Sequence, residues 1–281
     1  METKQLTVAD YRETGAILDR MRKYLIVLFI ADIVVFALLT LTAIIINLNT
    51  DSEMTFFNSV LEFLSKRTLL LSLITMIPSL ATVMYCIAML RLHIFEKDLM
   101  VAGIVAFFLA VYQRTIPTIS TSEADSTLST AVGGGFLVLI LGIAFRKLYC
   151  DAMQKATKEM DPGIGENWKG LWKLSLVVNI VAILMLVVLN YVAQDVIKKV
   201  NEASFLWYDY DGSGLDYVTL VRRLTVIALL LANIATIAEV IVMAFEMKCL
   251  KKTRAGVIGK CCEAERAEAA AAAPEGFDAN L

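Results

Sequence analysis

The chain has 281 residues, 58% of them apolar, and a mean hydropathy of +0.68. A soluble domain is only about half apolar, so the excess predicts burial in a nonaqueous solvent. A net charge of −2 supplies no basic face for nucleic acid, and a single histidine, His93, excludes any centre that requires two.

Four prolines and no long Gly/Ser or Pro-rich linker leave nothing to mark a second domain. The chain opens with "TVADYRETGAILDRMRK", residues 7–23, which reads as a short interfacial helix with Val8, Tyr11, Leu18 and Met21 near one face. Six stretches then reach the roughly 20 mostly apolar residues of a membrane helix: 24–48, 68–90, 99–121, 127–145, 174–194 and 224–245. Only Asp32, Arg114 and Glu239 interrupt them with charge. The first is too long for a signal peptide and no small-residue cleavage site follows it. The third is the weakest, because Arg114 and Pro117 fall in its last part.

The expected fold class is therefore all-α: a polytopic integral membrane protein of six transmembrane helices, arranged as three tandem helical hairpins. Residues 1–23 form a cytoplasmic interfacial helix, 24–247 the transmembrane domain, and 248–281 a basic and then Ala-rich tail that is partly disordered. Basic residues set the orientation. Of 26 Lys+Arg, the loops opposite the termini hold only Lys66, Arg67, Lys198, Lys199, Arg222 and Arg223, and Arg114 lies inside the third stretch. Both termini are thus expected in the cytoplasm of a multi-pass plasma membrane protein. The five cysteines agree, since Cys150, Cys249, Cys261 and Cys262 fall in cytoplasmic segments and Cys86 in the inner half of the second stretch. Trp168 and Trp172 flank the fifth stretch at the inner interface, and basic segments such as "KCLKKTRAGVIGK" suit anionic lipid.

The second stretch carries a pattern. Thr68, Ser72, Thr75, Ser79, Thr82 and Cys86 recur at steps of three and four and so share one face of a helix from end to end. Lipid tails are as apolar as leucine, so membrane helices associate by close packing and hydrogen bonds, which small residues permit. The stripe is read as a packing face, with a polar lining for a pathway as the alternative. Ser and Thr can also bond back to their own helix. Pro78 removes one helical donor and predicts a kink. A similar ribbon, Thr225, Ala228, Ala232, Ala235, Glu239, Val242 and Glu246, runs through the sixth stretch, and Ala131, Gly135 and Gly142 mark the fourth. Helices two, four and six are expected to pack around the centre.

Asp32 lies nine residues past Lys23, and Glu239 nine before Lys248, so both sit about 13 Å from the inner surface at 1.5 Å per residue. With Asn179, Asn233 and Thr236 they form a candidate intramembrane polar site. An unpaired carboxylate there is costly, so the group serves either as glue between helices, Asp32 to Asn179 for example, or as a cation or proton site. In the outer loop Asp209, Asp211, Ser213 and Gly214 occupy the first, third, fifth and sixth places of a calcium loop. Leu220 stands where the bidentate glutamate belongs, so these weak metal candidates compete with an ordinary turn.

No H-E-x-x-H, G-x-S-x-G, phosphate loop or dinucleotide fingerprint is present, no cofactor is implied, and an intramembrane enzyme using Asp32 and Glu239 is the least supported reading. The expected function is a scaffold or accessory subunit that associates through helix faces with other membrane subunits or with itself, its surroundings being the lipid bilayer. The alternative is a small ion, proton-coupled or solute permease using Asp32 and Glu239 beside a Ser/Thr-lined helix.

Overall fold

The structure is a computed structural model that describes residues 6–48, 68–115, 124–158, 160–206 and 214–272. Among the described residues there are six α-helices and no strand: α1 Val8–Leu48, α2 Thr68–Arg91, α3 Asp98–Thr115, α4 Ala124–Thr157, α5 Pro162–Leu206 and α6 Gly214–Ala272.

The helices are longer than the apolar stretches. At 1.5 Å per residue the 41 residues of α1 run about 60 Å and the 59 of α6 about 88 Å. Residues 8–23 and the first apolar stretch are one uninterrupted helix, and the basic segment after the last stretch continues α6 to Ala272. The N-terminus of α1 is fixed by a reciprocal cap: the Thr7 N–H donates to Asp10 Oδ2 at 2.9 Å, and the Asp10 N–H donates back to Thr7 Oγ1 at 3.2 Å. At the start of α5, Asp161 accepts from the Gly163 N–H at 2.8 Å. Pro162 takes the first helical position, where no amide hydrogen is needed. Pro78 sits inside α2, which continues past it to Arg91.

Each helix packs on its neighbours in sequence, and α1 closes the circle on α6 with the most extensive contact of all. The result is an up-and-down ring of six helices. At one end, called the base here, α2 turns into α3 through a 3₁₀ turn, Leu92–Ile94. A Cβ on Gly103 would lie 2.9 Å from Leu90 Cδ2 and 3.0 Å from the Leu90 nitrogen, so the lack of a side chain there sets how closely α3 approaches α2.

The buried core is concentrated at the base. Leu18 and Met21 of α1, Met89 of α2, Leu99 of α3, Tyr149 and Met153 of α4, Trp168 and Leu171 of α5, and Leu250 and Val257 of α6 belong to one cluster, all nearly inaccessible. Away from the base the outward ridges are apolar and uncovered: Ile30, Ile33 and Leu41 on α1, Phe108 on α3, Ile140 on α4, Leu184 on α5 and Ile241 on α6 are all exposed. Two stretches of described residues, Met76–Ile94 and Pro162–Val188, are long and apolar enough to cross a membrane, and Asp98–Tyr112 is a shorter apolar helix.

Candidate functional site

Among the described residues the helices expected at the centre, α2, α4 and α6, have no extensive backbone contact with one another. They meet instead through side chains at the base. Glu246 of α6 is fully buried and forms an ion pair with Arg146 of α4, whose side chain is 19% exposed. The Tyr85 hydroxyl of α2 donates to the other oxygen of the Glu246 carboxylate. A phenol has one proton, so the Tyr149 hydroxyl, 3.3 Å away on α4, is left to donate to the Tyr85 oxygen. Tyr149 stacks on Phe145 and meets Trp168 edge-on at 5.3 Å, and the Trp168 indole N–H donates to buried Thr253 Oγ1 at 2.9 Å. The network thus spans α2, α4, α5 and α6.

A buried ion pair survives only when hydrogen bonds complete its shell. Burial works against the Arg146 charge, yet the Glu246 carboxylate outweighs it and holds the guanidinium above its ordinary value. Burial pushes the Tyr149 hydroxyl well above the usual phenol range. It also pushes the nearby Cys150 and Cys249 thiols up to about 12, which leaves both protonated at neutral pH and poor nucleophiles. Each carboxylate oxygen accepts one of these donors, and among the described residues no activated nucleophile adjoins it. No group of three or more metal-ligating side chains occurs among the described residues.

The residues singled out in the sequence are distributed differently. On α2 the side chains of Thr68, Ser72 and Thr75 lie outside the described residues. Thr82 donates back to the Pro78 carbonyl at 2.9 Å, and Cys86 is buried in the basal core. Ser79 and Thr82 line a cavity of about 430 Å³ between α2 and α3, together with Leu80, Val83, Phe107 and Ala110. The stripe therefore faces the core at its lower end and a gap between two helices above it.

Asp32 and Glu239 lie at one level. The antiparallel register of α1 on α6 is marked by Arg12 with Glu265, Asp19 with Arg254, and Thr40 with Asn233. In that register position 32 falls opposite 241, which leaves Glu239 about half a turn away. Asp32 is half-buried and Glu239 exposed, and among the described residues neither carries a hydrogen bond or ion pair. Each lies within electrostatic reach of the other, and Arg146 within reach of Glu239. Asn233 is buried and accepts from Thr40 Oγ1 at 3.4 Å across the α1–α6 contact. Thr236, one turn nearer the base, is half-buried. Asn179 does not reach Asp32: its amide donates to the Ser175 carbonyl of its own helix at 2.8 Å, and it faces Gly142 of α4. Asp209, Asp211 and Ser213 lie outside the described residues.

Tyr85, Arg146 and Tyr149 belong to none of the patterns singled out in the sequence. One signal was available: Glu246 extends the ribbon of α6 by two further steps from Glu239, and Arg146 is the first charge after the fourth apolar stretch. Comparison with protein-family models, with curated proteins and with solved structures finds no match to this chain.

Proposed function

We propose that the chain is a six-helix integral membrane protein with both termini in the cytoplasm, and that it acts without catalysis, as a scaffold or accessory subunit that associates through its helix faces. The observation that carries this reading is the split between base and upper ring. The outward ridges above the base expose one large apolar side chain after another, with Leu80 at 64%, Phe108 at 66% and Leu184 at 60%. A soluble protein leaves no such continuous band uncovered. In Pro162–Val188 only 11% of the apolar window is buried inside the chain, whereas the core helix of a soluble protein is mostly buried. The remaining apolar stretches enter the proposal on sequence length and hydropathy alone.

Association is preferred to transport because the base is filled. Glu246, Tyr149, Trp168 and Met89 pack there without water-sized access, and they lie between the Asp32–Glu239 level and the basal surface. The register that brings Asp32 near Glu239 favours the permease as the second reading. The gap beside Ser79 and Thr82 provides a helix face with small residues, which suits a partner helix.

Alkaline carbonate extraction and sided labelling test the membrane reading. The chain is expected to stay in the bilayer, and exposed Cys262 to react with a membrane-impermeant maleimide only after cells are opened. Release by carbonate, or labelling from outside, refutes it. For association, Ser79→Leu is expected to break assembly and Ser79→Ala to leave it unchanged. Equal behaviour of the two removes that role from the face.

A further inference from the structure

The outward ridges of α4, α5 and α6 change character at one level. On α4 the exposed series runs Leu137, Ile140, Ala144 and then Lys147; on α6 it runs Ile237, Ile241, Ala244 and then Lys248. On α5, read from the other direction, Lys169 and Lys173 give way to Val177 and Ile180. Three contacts hold these points together. The Lys147 ammonium sits 5.5 Å from the Trp172 ring centre of α5, a Cβ on Gly170 would lie 3.6 Å from Phe245 of α6, and the Lys248 ammonium sits 5.9 Å from the Phe245 ring centre. Cations resting on partly buried aromatic rings, just where an apolar band ends, are the arrangement of a membrane–water boundary.

The lysines of this face differ from those elsewhere in their partners. Lys155 bridges Glu96 and Asp98, Lys23 pairs with Asp19, and Lys260 with Glu263. Among the described residues Lys169, Lys173, Lys248 and Lys251 hold no carboxylate, and Lys252 reaches only the Asn167 amide oxygen at 3.4 Å. Lys147 is bridged to Asp151 within its own helix, and Glu166 is the other acid on this face. Exposed positive charge is therefore in excess here, and among the described residues no carboxylate complements it.

Resting on the membrane reading above, we infer that the α4–α5–α6 face at the base of the apolar band is a docking surface for the phosphate headgroups of anionic lipids. Lys169, Lys173 and Lys248 supply the charge, and Trp172 and Phe245 the footing against the acyl region. Phosphate oxygens take up the ammonium donors while the lipid tails cover the apolar ridges directly above.

The test titrates phosphatidylglycerol into the full chain held in phosphatidylcholine mixed micelles and reads its apparent affinity from the thermal shift. A lysine near an anionic surface is worth roughly fivefold in affinity. The triple variant Lys169→Gln, Lys173→Gln, Lys248→Gln is thus expected to lose on the order of a hundredfold. The control triple Lys23→Gln, Lys155→Gln, Lys260→Gln and the charge-preserving Lys169→Arg, Lys173→Arg, Lys248→Arg are expected to stay close to wild type. Added salt weakens the wild-type response, whereas inorganic phosphate alone gives no shift. An equal loss in the control triple, loss in the arginine variant, a matching shift from inorganic phosphate, or the same titration by phosphatidylcholine overturns the assignment. Carbonate extraction separates the two failures: a chain that resists extraction but ignores lipid charge refutes this surface alone, and one that is extracted refutes the membrane reading beneath it.

Discussion

Replacing Glu246 by leucine tests whether the basal network is a coupled unit. The substitution removes a carboxylate that is 1% exposed and leaves the Arg146 guanidinium, 19% exposed, without its counter-ion. Breaking one side of a buried pair costs about 3–5 kcal/mol, and the residual access of Arg146 to water places the value toward the lower end, about 3 kcal/mol. Tyr85 also loses its acceptor, but Tyr149 remains 3.3 Å from its hydroxyl, which limits that loss to about 1 kcal/mol. Glu246→Leu is therefore expected to destabilise by about 3–4 kcal/mol. Arg146→Met strands the carboxylate and costs about 3–5 kcal/mol. The double variant Arg146→Met/Glu246→Leu leaves no charge behind and should fall within about 1 kcal/mol of wild type, because apolar replacement of a whole buried pair is close to neutral. Reversible unfolding in mixed micelles measures all four proteins, with fluorescence as the signal, since Trp168 lies against Tyr149 inside the network. A double variant as unstable as the sum of the singles refutes the coupling and assigns the burial of Glu246 to packing around it.

Glycine positions give a paired test by thermal melting. Gly103→Ala is expected to destabilise by about 1–3 kcal/mol, because its new methyl meets the Leu90 backbone as well as its side chain. Gly259→Ala, with nothing within 4 Å on an exposed turn of α6, is expected to stabilise by about 0.5–1 kcal/mol. Thiol counting on the native protein at neutral pH should find one fast-reacting cysteine, Cys262, since Cys86, Cys150, Cys249 and Cys261 are buried. A second fast thiol contradicts the packing of the base. The Arg12–Glu265 pair near the free ends of α1 and α6 predicts a pH dependence. The hydrogen bond from Arg12 lowers the Glu265 carboxyl below its ordinary value. Its contribution is therefore present above the ordinary glutamate value and lost as pH falls through the lowered one. Arg12→Gln should melt slightly below wild type at neutral pH and together with it in strong acid, and a gap that persists in acid refutes the pairing.

Helix identity was legible because apolar runs of this length leave few alternatives. The burial of Cys86 and the place of Glu246 on the ribbon of α6 were legible from spacing alone. The sequence did not reveal how far the helices run. Hydropathy marks only their apolar halves, while their continuation follows from a local fact: no proline, and only Gly256 and Gly259, interrupts α6 between Phe245 and Ala272. The partner of Glu246 was hidden for a different reason. Which side chains meet across the ring depends on the rotation of α2, α4 and α6 about their axes, set by contacts with α1, α3 and α5 that no single helix encodes. Asn179 illustrates the local competitor: its amide reaches the carbonyl four residues back on its own helix, and so the expected bridge to Asp32 does not form.

The position of the network also bears on the proposed scaffold and its permease alternative. Glu246 lies two turns, about 10 Å, nearer the base than Glu239 on the same helix. A path that brought an ion or proton from the Asp32–Glu239 level to the basal surface would pass the ring where Tyr85, Arg146, Tyr149 and Glu246 fill it. Conduction would therefore need that network to open, against the cost of separating a buried ion pair. A scaffold has no such need: Glu239 is exposed and within reach of Arg146, and Asp32 is half-buried. Proteoliposomes containing the chain are accordingly expected to hold proton, sodium and potassium gradients as well as protein-free vesicles do. Asp32→Asn and Glu239→Gln should leave that tightness unchanged. Specific flux in the wild type that either substitution abolishes, with the melt and the yield unaltered, would replace the scaffold with the permease and make the Glu246 network its inner gate.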